Sequence, residues 1–119
     1  VLKGRDDFMA VVESEEEVFS VVPDIILLED IHSRGLIVTS MGNQSDFVSL
    51  CFFPKLGEDP VTGSAYTVMT PYWAKELGKV SLIAYQRSKR GGVLNCELSG
   101  DRVLIGGYSI RYLDGRVYL

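Results

Sequence analysis

Gly57-Glu58-Asp59-Pro60-Val61-Thr62-Gly63-Ser64-Ala65 runs straight into residues 66–78, which carry a helical pattern. The first part is a tight polar loop punctuated by Gly and Pro. Between Ser64 and Ala74 there is no charged residue, in a chain that is 24% charged overall. A helix that is apolar on all sides is a buried helix, so the N-terminus of this one is expected to open inside the protein. Unpaired N–H groups and the helix dipole favour an anion there. Asp59 precedes Pro60, which holds its backbone extended and displays the carboxylate on a stiff turn. Thr62 and Ser64 bring hydroxyls to the helix start, and Gly63 lets a ligand come close to the backbone. A carboxylate beside an anion-binding helix end suits a zwitterionic substrate such as an amino acid. A plainer reading stands beside it, with Ser64 as an N-cap and Asp59 as an ordinary loop residue.

Upstream, residues 7–13 read as a short buried strand, and Ser14-Glu15-Glu16-Glu17 as a capping box opening a helix to about Val21. Pro23 interrupts that helix and Asp24 caps a second one through Asp30. The consecutive acids point around the helix, which fits capping on a solvated face better than a metal site. His32, the single histidine, lies in a polar loop with no nucleophile at a telling spacing. Residues 35–40 and 46–54 read as strands joined by a turn at Gly42-Asn43.

Downstream, residues 80–85 read as a strand, and residues 86–92 as a basic turn with Arg87, Lys89 and Arg90 facing solvent. Residues 93–98 alternate, with Leu94, Cys96 and Leu98 on one face. Ser99-Gly100-Asp101 turns the chain into a strand over residues 102–105. Gly106-Gly107 suggests a bulge or close backbone approach, and Asp114-Gly115 a hairpin within residues 110–119. Hairpins dominate the second half, which makes a doubly wound parallel sheet improbable. The expected fold is therefore α+β: a curved, mostly antiparallel sheet, or open barrel, wrapped around one central apolar helix. Within that helix, Pro71 removes a hydrogen bond to the Thr67 carbonyl.

The 119 residues suffice for one domain, 1–119. A net charge of −4 argues against nucleic acid and anionic membrane surfaces as partners. No apolar run has the length of a bilayer span. Cys51 and Cys96 lie in strand-like apolar patterns, which fits buried free thiols in a cytoplasmic protein. Both the P-loop and the nucleophile elbow are absent. The chain opens on Val1, which leaves room for a longer protein.

The motif from Glu58 to Ala65, followed by Pro71-Tyr72-Trp73-Ala74 and Leu77-Gly78-Lys79, closely resembles the C-terminal half of the phenazine-biosynthesis PhzF-like isomerase family. The flanks agree: Asp46-Phe47-Val48-Ser49 with Phe52 and Pro54 upstream, then Gln86, Ser88, Arg90-Gly91-Gly92 and Leu94, then Arg102-Val103. The resemblance implies a diaminopimelate epimerase-like fold of two similar domains with the active site between them. It implies cofactor-free proton transfer on a small amino or hydroxy acid, with no metal and no nucleotide. By that resemblance Asp59 is the catalytic residue that contacts the substrate, and Gly63 and Ser64 hold its carboxylate; Thr62 joins them as a substrate-binding residue through its hydroxyl at the helix start. The family's acid/base Glu lies in an N-terminal domain, in an Asn-x-Ser-Glu-like segment that this sequence lacks. The resemblance thus implies half an enzyme, inactive alone. Its expected partners are a small acid substrate, the N-terminal half of the same protein and a second copy in a homodimer. Two positions depart from the pattern, Tyr66 where relatives often have His and Leu50 where they often have Arg; both bear on substrate preference. The alternative is a non-catalytic module using the same helix end to bind a small carboxylate or a protein partner.

Overall fold

The computed structural model describes all 119 residues. One mixed sheet of eight strands organises it. In chain order these are β1 (Leu2–Lys3), β2 (Asp7–Val11), β3 (Gly35–Met41), β4 (Phe47–Phe53), β5 (Gly57–Glu58), β6 (Ser81–Gln86), β7 (Gly92–Ser99) and β8 (Arg102–Gly106). The order across the sheet is β1-β2-β3-β4-β6-β7-β8, with β5 folded back on β4. β2–β3 and β4–β6 pair in parallel and the other pairs are antiparallel. Each parallel pair needs a crossover longer than a hairpin. The helices α1 (Glu15–Ser20) and α2 (Ile25–Asp30) lie in the first, and α3 (Tyr66–Leu77) in the second.

The short helices start where their side chains cap them. Ser14 accepts from the Glu17 N–H at 3.2 Å, and Asp24 accepts from the N–H groups of Ile26 and Leu27 at 3.0 and 3.1 Å. α3 stops at Gly78, whose left-handed φ of 63° lets its N–H turn back to the Ala74 carbonyl.

The two faces of the sheet carry two separate cores. On the inner face Met9, Ile37, Phe47, Cys51, Leu82, Ala84, Leu94 and Cys96 pack against Ala65, Tyr66, Met69, Trp73 and Ala74. Phe47 stacks on Trp73 with ring centres 5.9 Å apart. The Trp73 indole donates to Thr39 Oγ1 at 3.0 Å, and Thr39 donates on to the Val48 carbonyl at 2.7 Å. On the outer face Val38, Val48, Leu50 and Phe52 meet Val18 and Leu28 from α1 and α2. Burial on both faces explains why β4 is apolar at every position but Ser49, instead of alternating.

Several expectations need correction. α3 is covered on one side only: Gly63, Ser64, Thr67 and Pro71 are exposed. The sheet curls into a half-barrel, and the exposed side of the helix is flanked within this chain only by the β7–β8 hairpin, across an open cleft lined by Thr67, Pro71 and Gly100–Val103. The helix start therefore opens outward and not into the interior. Gly106 pairs with Asn95 in regular register, with ordinary space for a Cβ, so there is no bulge. Residues 107–119 form no hairpin, and Gly115 does not take a positive φ. Tyr108, Ile110, Tyr112 and Leu113 are all more than 80% exposed, with no layer in this chain to pack on. A lone two-stranded ribbon has little to hold it together in water.

Candidate functional site

Asp59 follows a tight reversal over residues 54–56 that closes at Gly57, whose φ of 71° lets the chain turn back on β4. β5 then pairs with β4, and the Asp59 N–H donates to the Cys51 carbonyl at 2.9 Å, extending the ladder by one rung. The Asp59 side chain is half-buried, and Oδ2 accepts from the Thr62 hydroxyl. Oδ1 receives no hydrogen bond from the chain.

A single 3₁₀ turn, Gly63–Ala65, leads into α3. Ser64 does not act as an N-cap, and the turn has no side-chain cap at all. The N–H groups of Gly63 and Ser64 have no acceptor in the chain, and both residues are exposed. These are the orphan donors that a helix start presents to an anion. Thr62 is turned the other way. It is buried, its N–H donates to Gln86 Oε1 at 2.8 Å, and its hydroxyl is spent on Asp59.

Gln86, the last residue of β6, points inward beneath the loop and is fully buried. Its Nε2 donates to the Asp59 carbonyl at 2.7 Å. The turn that follows grips the same loop. Ser88 Oγ donates to the Pro60 carbonyl at 2.5 Å, and the Lys89 N–H donates to Glu58 Oε1 at 3.0 Å. Gly92 is required by close approach, because a Cβ there would stand 2.4 Å from Val61 Cγ2. Within the 86–92 turn Lys89 and Arg90 face solvent as expected, but Gln86 and Ser88 are buried and Arg87 is partly covered. The sequence did hold a signal: the alternation Leu82, Ala84, Gln86 places an amide on a core face, where it must find partners.

Two further polar features escaped the sequence. Glu15, taken as part of a solvated acidic face, is 3% exposed and pairs with Arg87 at 2.5 Å while accepting from the Asn43 N–H at 2.8 Å. Asp7 is likewise buried and accepts a two-pronged contact from Arg34. Tyr66, at the position of a departure from the resemblance, is buried with its hydroxyl 3.3 Å from Ser49 Oγ and 3.5 Å from Gln86 Oε1. Burial raises the pKa of that phenol. His32 is exposed and apart from these groups. No cluster of His, Cys, Asp and Glu is arranged to hold a metal, and no helix is long and apolar enough to cross a membrane.

The family model described as "Phenazine biosynthesis-like protein" matches residues 2–115. The chain belongs to the PhzF family. An uncharacterized isomerase of Pseudomonas aeruginosa is 48% identical over the whole chain, which covers 46% of that relative. An uncharacterized isomerase of Halalkalibacterium halodurans is 43% identical over 98% of the chain, again 46% of its length. The crystal structure of a PhzF-family protein from Enterococcus faecalis superposes with a TM-score of 0.85 at 46% identity, covering 98% of this chain and 45% of that one. The PhzF half-barrel around one helix is thus the fold of this chain. The chain spans about half the length of the curated relatives it matches.

Proposed function

We propose that this chain supplies one wall of the active site of a PhzF-like isomerase that moves a proton on a small amino or hydroxy acid without a cofactor. The supporting observation is the pair of unpartnered N–H groups at Gly63 and Ser64, exposed at a helix start next to the loop carboxylate of Asp59. The helix start takes the substrate carboxylate. Asp59 touches the substrate through Oδ1 and handles its ammonium group or its mobile proton. Thr62 contributes through Asp59, since its own donors are already used.

In this reading the facing wall and the main acid/base Glu come from the N-terminal half of the same protein, and the chain alone is inactive. The exposed strip Gly63, Ser64, Thr67 and Pro71 supports such a facing wall. A second copy, in a homodimer, covers other apolar surface, supported by exposed Val93 and Leu104 near the free edge of the sheet. Two buried free thiols, Cys51 and Cys96, support a reducing, cytoplasmic setting.

The test is solvent deuterium incorporation into a panel of 2-amino and 2-hydroxy acids by the full-length protein and its Asp59→Ala variant. The wild type is expected to exchange the carbon-bound proton of at least one acid and the variant to lose that exchange by a factor of about 10² or more. Equal exchange in both removes Asp59 from the chemistry.

A further inference from the structure

The hydrogen bonds under the loop have a direction, and the direction follows from backbone groups that cannot change role. A peptide N–H only donates and a carbonyl only accepts. Thr62 N–H lies 2.8 Å from one end of the Gln86 carboxamide, and the Asp59 carbonyl lies 2.7 Å from the other. The first must therefore face Oε1 and the second Nε2, which fixes the amide in one of its two orientations. Nε2 also reaches Thr62 Oγ1 at 3.3 Å, so that hydroxyl accepts from Gln86. Its own proton then goes to Asp59 Oδ2. Tyr66 reinforces the same sense by approaching Oε1 at 3.5 Å with its hydroxyl.

The network is dry where it matters, since Gln86 is 0% exposed and Thr62 6%. Water has little access to substitute for a lost partner, so each donor counts for more than at the surface.

We infer that Gln86, acting through Thr62, is a positioning residue for Asp59: it aims the Thr62 proton at Oδ2 and leaves Oδ1 as the one carboxylate oxygen open to substrate. This rests on the proposed role of Asp59. A loop fastened only for stability needs the backbone contacts of Gln86 and not the Thr62 hydroxyl, so the two roles separate by mutation. In Thr62→Val the backbone N–H to Gln86 persists and only the hydroxyl is lost. In Thr62→Ser the hydroxyl returns. In Gln86→Glu the side chain accepts from Thr62 N–H but has no N–H of its own, so the Thr62 proton is drawn away from Asp59.

The experiment measures deuterium exchange by the full-length protein across the same acid panel, as a function of substrate concentration. Thr62→Val is expected to lower kcat by about 10-fold to 100-fold with KM changed by less than roughly threefold, because orientation and not binding is lost. Thr62→Ser is expected to recover most of that loss. Gln86→Glu is expected to fall at least as far as Thr62→Val, and the double variant no further than the worse single one, as for residues acting through one group. Thermal melts confirm folding, and if Gln86→Glu does not fold, the Thr62 pair decides. Wild-type kcat in Thr62→Val, with Asp59→Ala inactive, overturns this inference and leaves the site reading intact. Wild-type exchange in Asp59→Ala overturns the site reading, and silence of the wild type on every acid overturns both.

Discussion

At the scale of single residues, buried charge shapes this half-barrel more than surface charge does. Burial opposes ionisation of Glu15, but the Asn43 N–H and the Arg87 guanidinium outweigh it and hold its pKa below the usual 4.5. Asp46 behaves alike: burial is outweighed by Lys79 and the Ile83 N–H, and its pKa falls below the usual 3.8. A carboxylate with a depressed native pKa stabilises the fold above its unfolded pKa. That stability is lost as pH falls through the native value. The urea midpoint should therefore hold steady from about pH 7 to about pH 5 and fall below that, with a shallower fall in Glu15→Gln. At pH 7 the same substitution should cost about 1–3 kcal/mol, the exposure of Arg87 tempering the loss of a buried partner. A pH-independent midpoint down to about pH 3 would exclude these carboxylates as the cause. Ser14 and Asp24 were legible as caps because capping is decided within four residues. Glu15 was not, because its partner lies far along the chain and only the fold brings them together. Thiols at Cys51 and Cys96 complete the residue scale. Burial pushes Cys51 up to about 12 and Cys96 upward too, so the folded protein should resist iodoacetamide at pH 8 while the urea-unfolded chain is labelled at both.

Among the elements, α3 carries the clearest lesson about what a run of apolar residues can say. Its freedom from charge as far as Ala74 announced burial, and Met69, Trp73 and Ala74 are buried. The same run could not reveal that Thr67 and Pro71 stay exposed, because uncharged residues suit a covered face and an open one alike. The alternating strands were readable from period two alone, and β4 from its richness in Phe and Val. The tail was misread since Asp-Gly signals a turn only where flanking strands have something to pair against. One position in α3 is open to improvement. The Thr70 hydroxyl is buried without a hydrogen bond of normal geometry, beside the Cys96 thiol. Thr70→Val should therefore leave stability unchanged or raise it by up to about 1 kcal/mol. Met69→Ala, which empties a fully buried site, should cost about 2–5 kcal/mol. Denaturant melts of both variants decide, and a large loss in Thr70→Val would reveal a partner that the hydroxyl does have.

For the whole molecule, half the story is surface. Phe19, Ile26 and Leu27 on the outer helices are exposed, as are Leu104 and Ile105 on the last strand and most apolar residues of the tail. Patches of this extent belong to proteins with something to cover them. Expressed as these 119 residues, the chain should self-associate, with a sedimentation coefficient that rises with concentration. Serine at Ile110, Tyr112 and Leu113 together should weaken that association. A monodisperse monomer at high concentration would count against covered surfaces as a design feature. β8 adds to the hazard, since it ends the sheet with an unpaired edge.

The order β1-β2-β3-β4-β6-β7-β8 bears on how the chain finds its fold. Every main strand neighbours the one made just before it, apart from the single step over β5. A ribosome releasing the chain from its N-terminus would thus expose each new strand to a template already in place. Loop closures stay short everywhere except across the two helical crossovers, so those two parallel pairings should set the barrier. The β6–β7–β8 meander can zip by hairpin steps in microseconds, and then wait on β4 to accept β6. Gln86 sits at the β4–β6 junction, opposite Ser49, so the residue beneath the Asp59 loop should be fixed late, with that parallel pairing.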